Sequence, residues 1–204
     1  MAEAKARIAV LVSGGGTNLQ AILDAQNSGI ITSGSVELVI SNNPNAFALQ
    51  RAANAGVAAK VITRKQCGSA QAFEAALVQA LEEASIDLIV LAGFMSILSA
   101  DFTSRYDKRI LNVHPSLIPS FCGAGFYGLH VHEAALAKGV KVTGATVHFV
   151  NEIPDGGEIL LQKAVRVLPG DTPEKLQKRV MKQAEWKILP QAVEMVSSKL
   201  ISER

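Results

Sequence analysis

Runs of mostly apolar residues recur along the first half of the chain, and they are continuous rather than alternating. Such runs are typical of parallel strands that are buried on both faces of a sheet. They predict strands at residues 7–12, 36–40, 59–63, 87–92 and 110–114. Helix signals separate the strands, with a helix that opens at Leu19 and later helices that end at Gly56, Ala84 and Gly139. This alternation predicts an α/β fold with a doubly wound, mostly parallel sheet.

The C-terminal part of the chain has a different pattern. Residues 143–150 alternate with period two, and residues 158–167 return after a glycine-containing turn. This arrangement predicts an antiparallel C-terminal edge of the sheet. A last helix has Thr172 as its cap and a proline at its first position, and it runs toward Pro190.

Composition narrows the possible functions. The length of 204 residues and the low aromatic content of 5% suit one α/β domain over 1–204, which we divide at about residue 100 into an N-terminal and a C-terminal half. The net charge is +2 and no basic run exceeds two residues, so neither nucleic acid nor a membrane is expected as a partner. Cys67 and Cys122 have no metal-ligand spacing and no signal peptide precedes them, which indicates a reducing cytoplasm and no metal. A monomer and a homodimer both stay open.

The strongest chemical signal lies where the fifth predicted strand ends. Asn112 and His114 are two positions apart, so on a strand their side chains point to the same face. Pro115 then fixes a turn. An amide and an imidazole side by side can both reach one carbonyl oxygen, as the stabilisation of an oxyanion in acyl transfer requires. Taken alone, the pair could also be a polar strand end.

A glycine-rich loop at residues 13–18 follows the first predicted strand and precedes a helix. This order aims free backbone N–H groups at a phosphate, although a glycine turn can also simply reverse the chain. Leu19 stands where a dinucleotide motif has its third glycine, and Asn42 and Asn43 stand where that motif has an acidic residue. No Gly-Lys-Ser/Thr follows the loop, which argues against a nucleoside triphosphate. The loop therefore predicts a phosphate site, but for a ligand other than NAD or a nucleoside triphosphate.

Three features fall at the carboxyl ends of predicted parallel strands: the glycine loop, an apolar lip at 93–98, and the Asn112/His114 pair. Ligands of doubly wound sheets bind at this edge. The lip can hold a flat ring or be plain core, and Arg64 is either a solvated charge or a contact for an anionic tail.

Other polar residues are less informative. Asp155 lies in an Asp-Gly turn and is ambiguous by itself. His130 and His132 have no metal partners at useful spacing, so we expect both at the surface.

Several stretches together resemble one family. Residues 12–20, 91–98, 111–119, 146–150 and 155–157 are similar to the folate-dependent phosphoribosylglycinamide formyltransferases of purine synthesis, and the likeness runs from about Arg7 to Pro190. The Asn-x-His-Pro and Asp-Gly-Gly motifs belong to all folate-linked formyl-transfer relatives. The Ser-Gly-Gly-Gly-Thr-Asn loop is specific to the branch that binds a ribose phosphate.

The resemblance implies roles for the matching residues. The catalytic trio would be Asn112, His114 and Asp155, supported by His148 and Arg64. The ribonucleotide and its phosphate would be held by Gly16, Thr17, Asn18, Pro115, Lys182 and Glu185. The pterin of the folate would lie among Met95, Ser96, Ile97, Leu98, Val150, Asn151, Glu152, Ile153 and Pro154.

The implied reaction is attack by the amine of glycinamide ribonucleotide on the formyl carbon of 10-formyltetrahydrofolate, with no metal. Asn112 and His114 would donate to the oxyanion, and Asp155 would favour the charged imidazolium of His114. A formyltetrahydrofolate deformylase would keep the trio but use water. The deformylase family carries an extra N-terminal domain. Here the first predicted strand begins within about seven residues of Met1, so we expect no such domain. A methionyl-tRNA formyltransferase would need a C-terminal RNA-binding domain.

A non-catalytic nucleotide-binding module is an alternative function of another class. It would not explain why Asn112, His114 and Asp155 occur together.

Three departures from the family pattern stand out. Ser96 replaces a common arginine, Trp186 replaces a common histidine, and the loop at 120–128 is longer than usual.

Overall fold

The computed structural model describes residues 4–204, and a seven-stranded sheet forms its framework. In chain order the strands are β1 (Ala6–Val12), β2 (Gly34–Ser41), β3 (Ala58–Val61), β4 (Leu88–Leu91), β5 (Ile110–His114), β6 (Val142–Phe149) and β7 (Ile159–Arg166). Their order in the sheet is β3-β2-β1-β4-β5-β6-β7. The pairings from β3 to β5 are parallel, whereas β6 and β7 are antiparallel. The predicted mostly parallel sheet with an antiparallel C-terminal edge is confirmed.

Helices cover both faces of this sheet. They are α1 (Thr17–Asn27), α2 (Phe47–Asn54), α3 (Arg64–Cys67), α4 (Ala70–Glu83), α5 (Ala100–Arg105), α6 (Leu129–Lys138), α7 (Pro173–Val180) and α8 (Trp186–Ser202). A π-helical turn, Met181–Glu185, joins α7 to α8. The sequence did not predict α3 and α5, because helices of four and six residues are too short to show a helical period. Within residues 4–204, no helix has the length and apolar character that crossing a bilayer requires.

Burial on both faces of the sheet explains why the central strand β1 is apolar from Ile8 to Val12. Ile8, Val10 and Val12 pack into a core with α1, α7 and α8. Ala9 and Leu11 point to the other face and pack with α4 and α5. Both sets are fully buried, so no position of the strand can be polar without a partner.

The last helix is longer than predicted, since α8 continues through Pro190 to Ser202. Proline removes one backbone hydrogen bond from a helix interior. Here Leu189, Ala192 and Val193 are fully buried against the sheet. This burial outweighs the lost bond, because helical stability in proteins comes mainly from packing of the apolar face.

The crevice of the sheet lies between β1 and β4, where the strand order reverses. The glycine loop follows β1 and the apolar lip follows β4, so both reach this crevice. The Met95 N–H donates to Ser13 Oγ at 2.8 Å, and the Asn43 side-chain amide donates to the Ser13 carbonyl at 3.1 Å. Asn42 donates to Ser96 Oγ at 2.9 Å. The asparagines after β2 thus tie the glycine loop and the lip together.

Candidate active site

Asn112 and His114 lie on the same face at the end of β5, as the period-two argument predicted. The antiparallel neighbour β6 places His148 directly opposite Asn112. Asn112 Nδ2 is 3.1 Å from His148 Nε2. His114 and His148 are both almost fully buried, at 4% and 2% exposure. The edge of the sheet therefore carries an amide and two imidazoles, and the amide contacts the imidazole of His148.

Asp155 reaches this group from the turn after β6. Its Oδ2 lies 3.4 Å from His114 Nδ1, and its Oδ1 lies 3.5 Å from both Asn112 Nδ2 and His148 Nε2. Asp155 has a positive φ of 57°, which asparagine and aspartate tolerate better than most residues. A Cβ on Gly157 would lie 1.8 Å from the Phe149 carbonyl oxygen. The Asp-Gly-Gly turn is therefore a steric requirement for bringing this carboxylate to His114.

The loop at 120–128 completes the arrangement through its backbone. The ring Nε2 of His114 is 2.8 Å from the Phe121 carbonyl oxygen, and the Gly123 N–H donates to Asp155 Oδ2 at 2.8 Å. Sequence reasoning missed Phe121 and Gly123, because main-chain groups leave no mark in residue type. The only available signal was the glycine-rich composition of the loop, which permits the positive φ of 86° at Gly123.

Several neighbours act on the protonation of His114 in opposite directions. Burial lowers the pKa of His114 below 6.5, although the Phe121 carbonyl and the Asp155 carboxylate act to raise it, and His148 lowers it further. Asp155 therefore favours the imidazolium, in the direction predicted, but in the free protein desolvation outweighs its attraction. The ring is neutral at pH 7, with its proton on Nε2 facing the carbonyl. Its Nδ1 lone pair is therefore free to accept a proton.

Asp155 itself stays ionised. Burial acts to raise its pKa, but hydrogen bonds from His148 and the Gly123 N–H and the electrostatic influence of the His114 and His148 rings together lower it. The site therefore combines a permanent negative charge with a base that becomes cationic only when it takes up a proton.

His132 contradicts the expectation of a surface histidine. Its side chain is fully buried in the first turn of α6, whereas His130 is exposed as predicted. Neither ring nitrogen of His132 has a hydrogen-bond partner among the described residues. Burial, aided by the charge of His114, lowers the pKa of His132 to about 4. The ring is thus neutral at physiological pH.

A cleft of about 140 Å³ opens beside Asn112, His148 and Asp155. Eight of the nine residues predicted for the pterin line it: Ser96, Ile97, Leu98, Val150, Asn151, Glu152, Ile153 and Pro154. Met95 does not line the cleft, because its N–H turns toward Ser13 and its side chain is 55% exposed. The rim is apolar and open, with Ile97 70% and Ile153 58% exposed. The guanidinium of Arg64 lies at this rim, 3.3 Å from the Ile97 carbonyl oxygen.

The glycine loop ends where α1 begins. Gly16 has a φ of 69° and a Cβ there would lie 2.6 Å from Ala48 Cβ, so the position requires glycine. Helix α1 starts at Thr17, and the free N–H groups of its first turn point toward the loop. Pro115 is half-buried after β5.

The loop is joined to the C-terminal helices by one buried hydrogen bond. The Asn18 side-chain amide donates to Glu185 Oε2 at 2.8 Å, which links two predicted ribonucleotide residues that are 167 positions apart. Burial raises the pKa of Glu185 to about 7, although the Asn18 bond acts to lower it. Lys182 is exposed on the same π-helical turn. One N–H of the Asn18 amide is therefore engaged, which leaves its other N–H, Thr17 and backbone N–H groups to meet a phosphate.

Comparison with known proteins agrees with this geometry. Residues 6–193 match the formyl transferase family model. The human trifunctional purine biosynthetic protein adenosine-3 is 47% identical over 95% of this chain, which spans only 18% of that protein. The phosphoribosylglycinamide formyltransferase of Haemophilus influenzae is 43% identical over 90% of this chain and 84% of its own length. The crystal structure of glycinamide ribonucleotide transformylase 1 from Symbiobacterium toebii has a TM-score of 0.89 at 44% identity, covering 96% of this chain and 89% of that chain.

Proposed function

This chain belongs to the formyl transferase family, in the branch of the phosphoribosylglycinamide formyltransferases, and we propose that it transfers a formyl group from 10-formyltetrahydrofolate to the amine of glycinamide ribonucleotide. The observation that carries the proposal is the position of the Asp155 carboxylate. It lies within 3.5 Å of His114, Asn112 and His148, at the mouth of an apolar cleft. The products would be formylglycinamide ribonucleotide and tetrahydrofolate.

The phosphate of the ribonucleotide would lie on the glycine loop and the start of α1. Gly16 and Thr17 supply backbone N–H groups there, and the helix dipole favours a negative charge. Lys182 on the π-helical turn would add a cation, and Glu185 beside Asn18 would accept from the sugar or amine. Pro115 would hold the turn that faces the ribonucleotide.

The folate would cover the apolar rim of the cleft. Ile97 and Ile153 both line it and are largely exposed, so a flat pterin seated against them would bury both. Polar atoms of the pterin can meet the backbone of 150–154. Arg64 at the rim would attract the carboxylates of the folate tail.

The chemistry follows from the state of the three side chains. As the amine attacks the formyl carbon, the neutral His114 accepts the amine proton on Nδ1, directly or through a water, and becomes an imidazolium between the Phe121 carbonyl and Asp155. An N–H of Asn112 donates to the oxyanion, a contribution of about 3 kcal/mol for one well-placed donor. The imidazolium then returns the proton to the folate nitrogen as the carbon–nitrogen bond breaks.

A formyl-transfer assay with and without the ribonucleotide tests the proposal. The purified chain is mixed with 10-formyltetrahydrofolate, and release of tetrahydrofolate is followed by absorbance. We expect release only when glycinamide ribonucleotide is present, with formylated ribonucleotide in equal amount. Equal release without ribonucleotide would identify a hydrolase instead, and no release in either mixture would overturn the proposal.

We also propose the cytoplasm as the location of the chain. Both cysteines, Cys67 and Cys122, are free thiols in the structure, a state that reducing compartments maintain.

A further inference from the structure

The back of the glycine loop is held by α2, a helix to which the proposed reaction assigns no role. The Ala48 N–H donates to the Gly14 carbonyl oxygen at 3.0 Å. Arg51 Nε donates to the Gly15 carbonyl oxygen at 2.8 Å. A Cβ on Gly16 would lie 3.3 Å from Arg51 Cδ, so the side chain of Arg51 packs directly against the loop.

These two bonds determine where the loop N–H groups point. In a planar trans peptide the carbonyl oxygen and the following N–H point in opposite directions. Because the carbonyls of Gly14 and Gly15 both face α2, the N–H groups of Gly15 and Gly16 both point away from α2. Neither N–H donates to another group within residues 4–204. Successive N–H groups with one direction form a concave anion site, here continued by the first turn of α1.

Arg51 is fixed in this position by a second donor and by an aromatic ring. Its Nη1 donates to Gln20 Oε1 at 3.0 Å, and Gln20 Nε2 in turn donates to Asp24 at 2.8 Å. Its guanidinium carbon lies 5.1 Å from the centre of the Phe47 ring. One planar fork thus joins the loop to α1, which a lysine cannot do with the same geometry.

We propose that Arg51 is a positioning residue that fixes the glycine loop of β1 in the conformation that binds the substrate phosphate, by holding the Gly15 carbonyl and Gln20 at once. The inference rests on the proposed phosphate site and assigns the fork, rather than the charge, of Arg51 as the functional feature. Two of the five N–H donors of Arg51, on Nε and Nη1, are directed at protein oxygens of the loop and of α1.

Steady-state kinetics of Arg51→Lys and Arg51→Met test this role. Both variants should raise KM for glycinamide ribonucleotide about tenfold, with kcat and KM for the folate within twofold of the parent chain. Gln50→Ala is the matched control, since Gln50 lies on the same helix and its side chain donates to Asn54 rather than to the glycine loop. Parent-like KM for the ribonucleotide in Arg51→Lys would show that charge alone suffices and would overturn the proposal. An equal loss in kcat and in both KM values would show a general structural role and would also overturn it.

Titration with inorganic phosphate, followed by NMR of ¹⁵N-labelled protein, gives a readout that needs no activity. In the parent chain the amide signals of Gly15 and Gly16 should shift with saturation. In Arg51→Lys the phosphate concentration for half-saturation should rise about tenfold. Unchanged half-saturation would contradict the role of Arg51. If the parent chain binds phosphate at these amides but transfers no formyl group, the proposed formyl-transfer function is rejected. The assignment of the glycine loop as a phosphate site is then retained.

Discussion

Asp155 is the residue on which the geometry of the candidate site depends. Its two carboxylate oxygens contact His114, Asn112 and His148, and the Gly123 N–H fixes one of them. The side chain is 12% exposed, so the charge acts on its neighbours with little screening by solvent. Its proposed task is to stabilise the imidazolium that forms when His114 takes the amine proton.

Asp155→Asn removes this charge and leaves an oxygen to accept from Gly123. We expect kcat to fall by about 10²–10³-fold, because the protonated His114 loses its counter-ion. Since the Asp155 charge raises the pKa of His114, its removal should lower that pKa further. His114 acts as a base in its neutral form, so kcat/KM falls on the acid side, and this limb should move to lower pH in the variant. A pH–rate profile measures it, and an unmoved acid limb together with parent-like kcat would remove Asp155 from the mechanism.

Among the elements, the loop at 120–128 contributes what neither β5 nor β6 supplies. Phe121 and Gly123 place a carbonyl and an N–H on two members of the catalytic trio. The first residues of the loop fold back over the site rather than extending into solvent. The backbone of this loop therefore belongs to the candidate active site.

Gly123→Ala and Gly125→Ala separate this role from general loop strain. Both glycines have a positive φ, 86° and 89°, and a Cβ at either meets nothing within 4 Å. Each substitution should destabilise the fold by about 1 kcal/mol, because alanine resists this conformation. Of the two glycines, Gly123 donates to Asp155 and Gly125 does not. We therefore expect kcat to fall at least tenfold in Gly123→Ala and to stay within twofold in Gly125→Ala. Thermal melting and steady-state kinetics of both variants give the comparison, and equal kcat in the two would contradict the role of the Gly123 N–H.

How much of the site the sequence could predict depends on whether a feature is local. The period of a strand is local, so Asn112 and His114 were correctly placed on one face, and the resemblance built on such motifs is confirmed by the family match. The contact of Asp155 with His114 depends on the pairing of β5 with β6 and was available only through the resemblance. His132 was misplaced although it precedes buried Ala135 by three residues, a helical spacing that could have indicated burial.

At the scale of the whole molecule, the topology brings the two proposed substrates together. The phosphate loop follows β1 and the folate lip follows β4, and these strands are neighbours although 75 residues lie between them in the chain. The last helices then return across the face that carries α1, where Glu185 bonds to Asn18. The proposed ribonucleotide site is therefore formed by segments from both ends of the chain, so its integrity depends on global folding.

Two buried groups, His132 and Glu185, should affect the pH dependence of the stability of the whole molecule in opposite directions. His132 has a folded pKa of about 4, below its usual 6.5, so the unfolded chain binds more protons and stability rises with pH between about 4 and 6.5. Glu185 has a folded pKa of about 7, above its usual 4.5, so the folded chain binds more protons and stability falls with pH between about 4.5 and 7. Each effect amounts to about 3 kcal/mol, and the two oppose each other where their ranges overlap.

Single variants should uncover the two slopes. In His132→Leu the free energy of unfolding should fall more, or rise less, from pH 4.5 to pH 7 than in the parent, because the opposing contribution of His132 is gone. In Glu185→Gln it should rise more from pH 4 to pH 6.5 than in the parent, because the opposing contribution of Glu185 is gone. Urea unfolding of the parent and both variants at several pH values measures the slopes, with the double variant as the control that should lack both. If the unfolding free energies of the parent and His132→Leu changed in parallel with pH, the pKa of His132 would not be lowered in the folded chain. His132 would then have a hydrogen-bond partner there, such as a bound water.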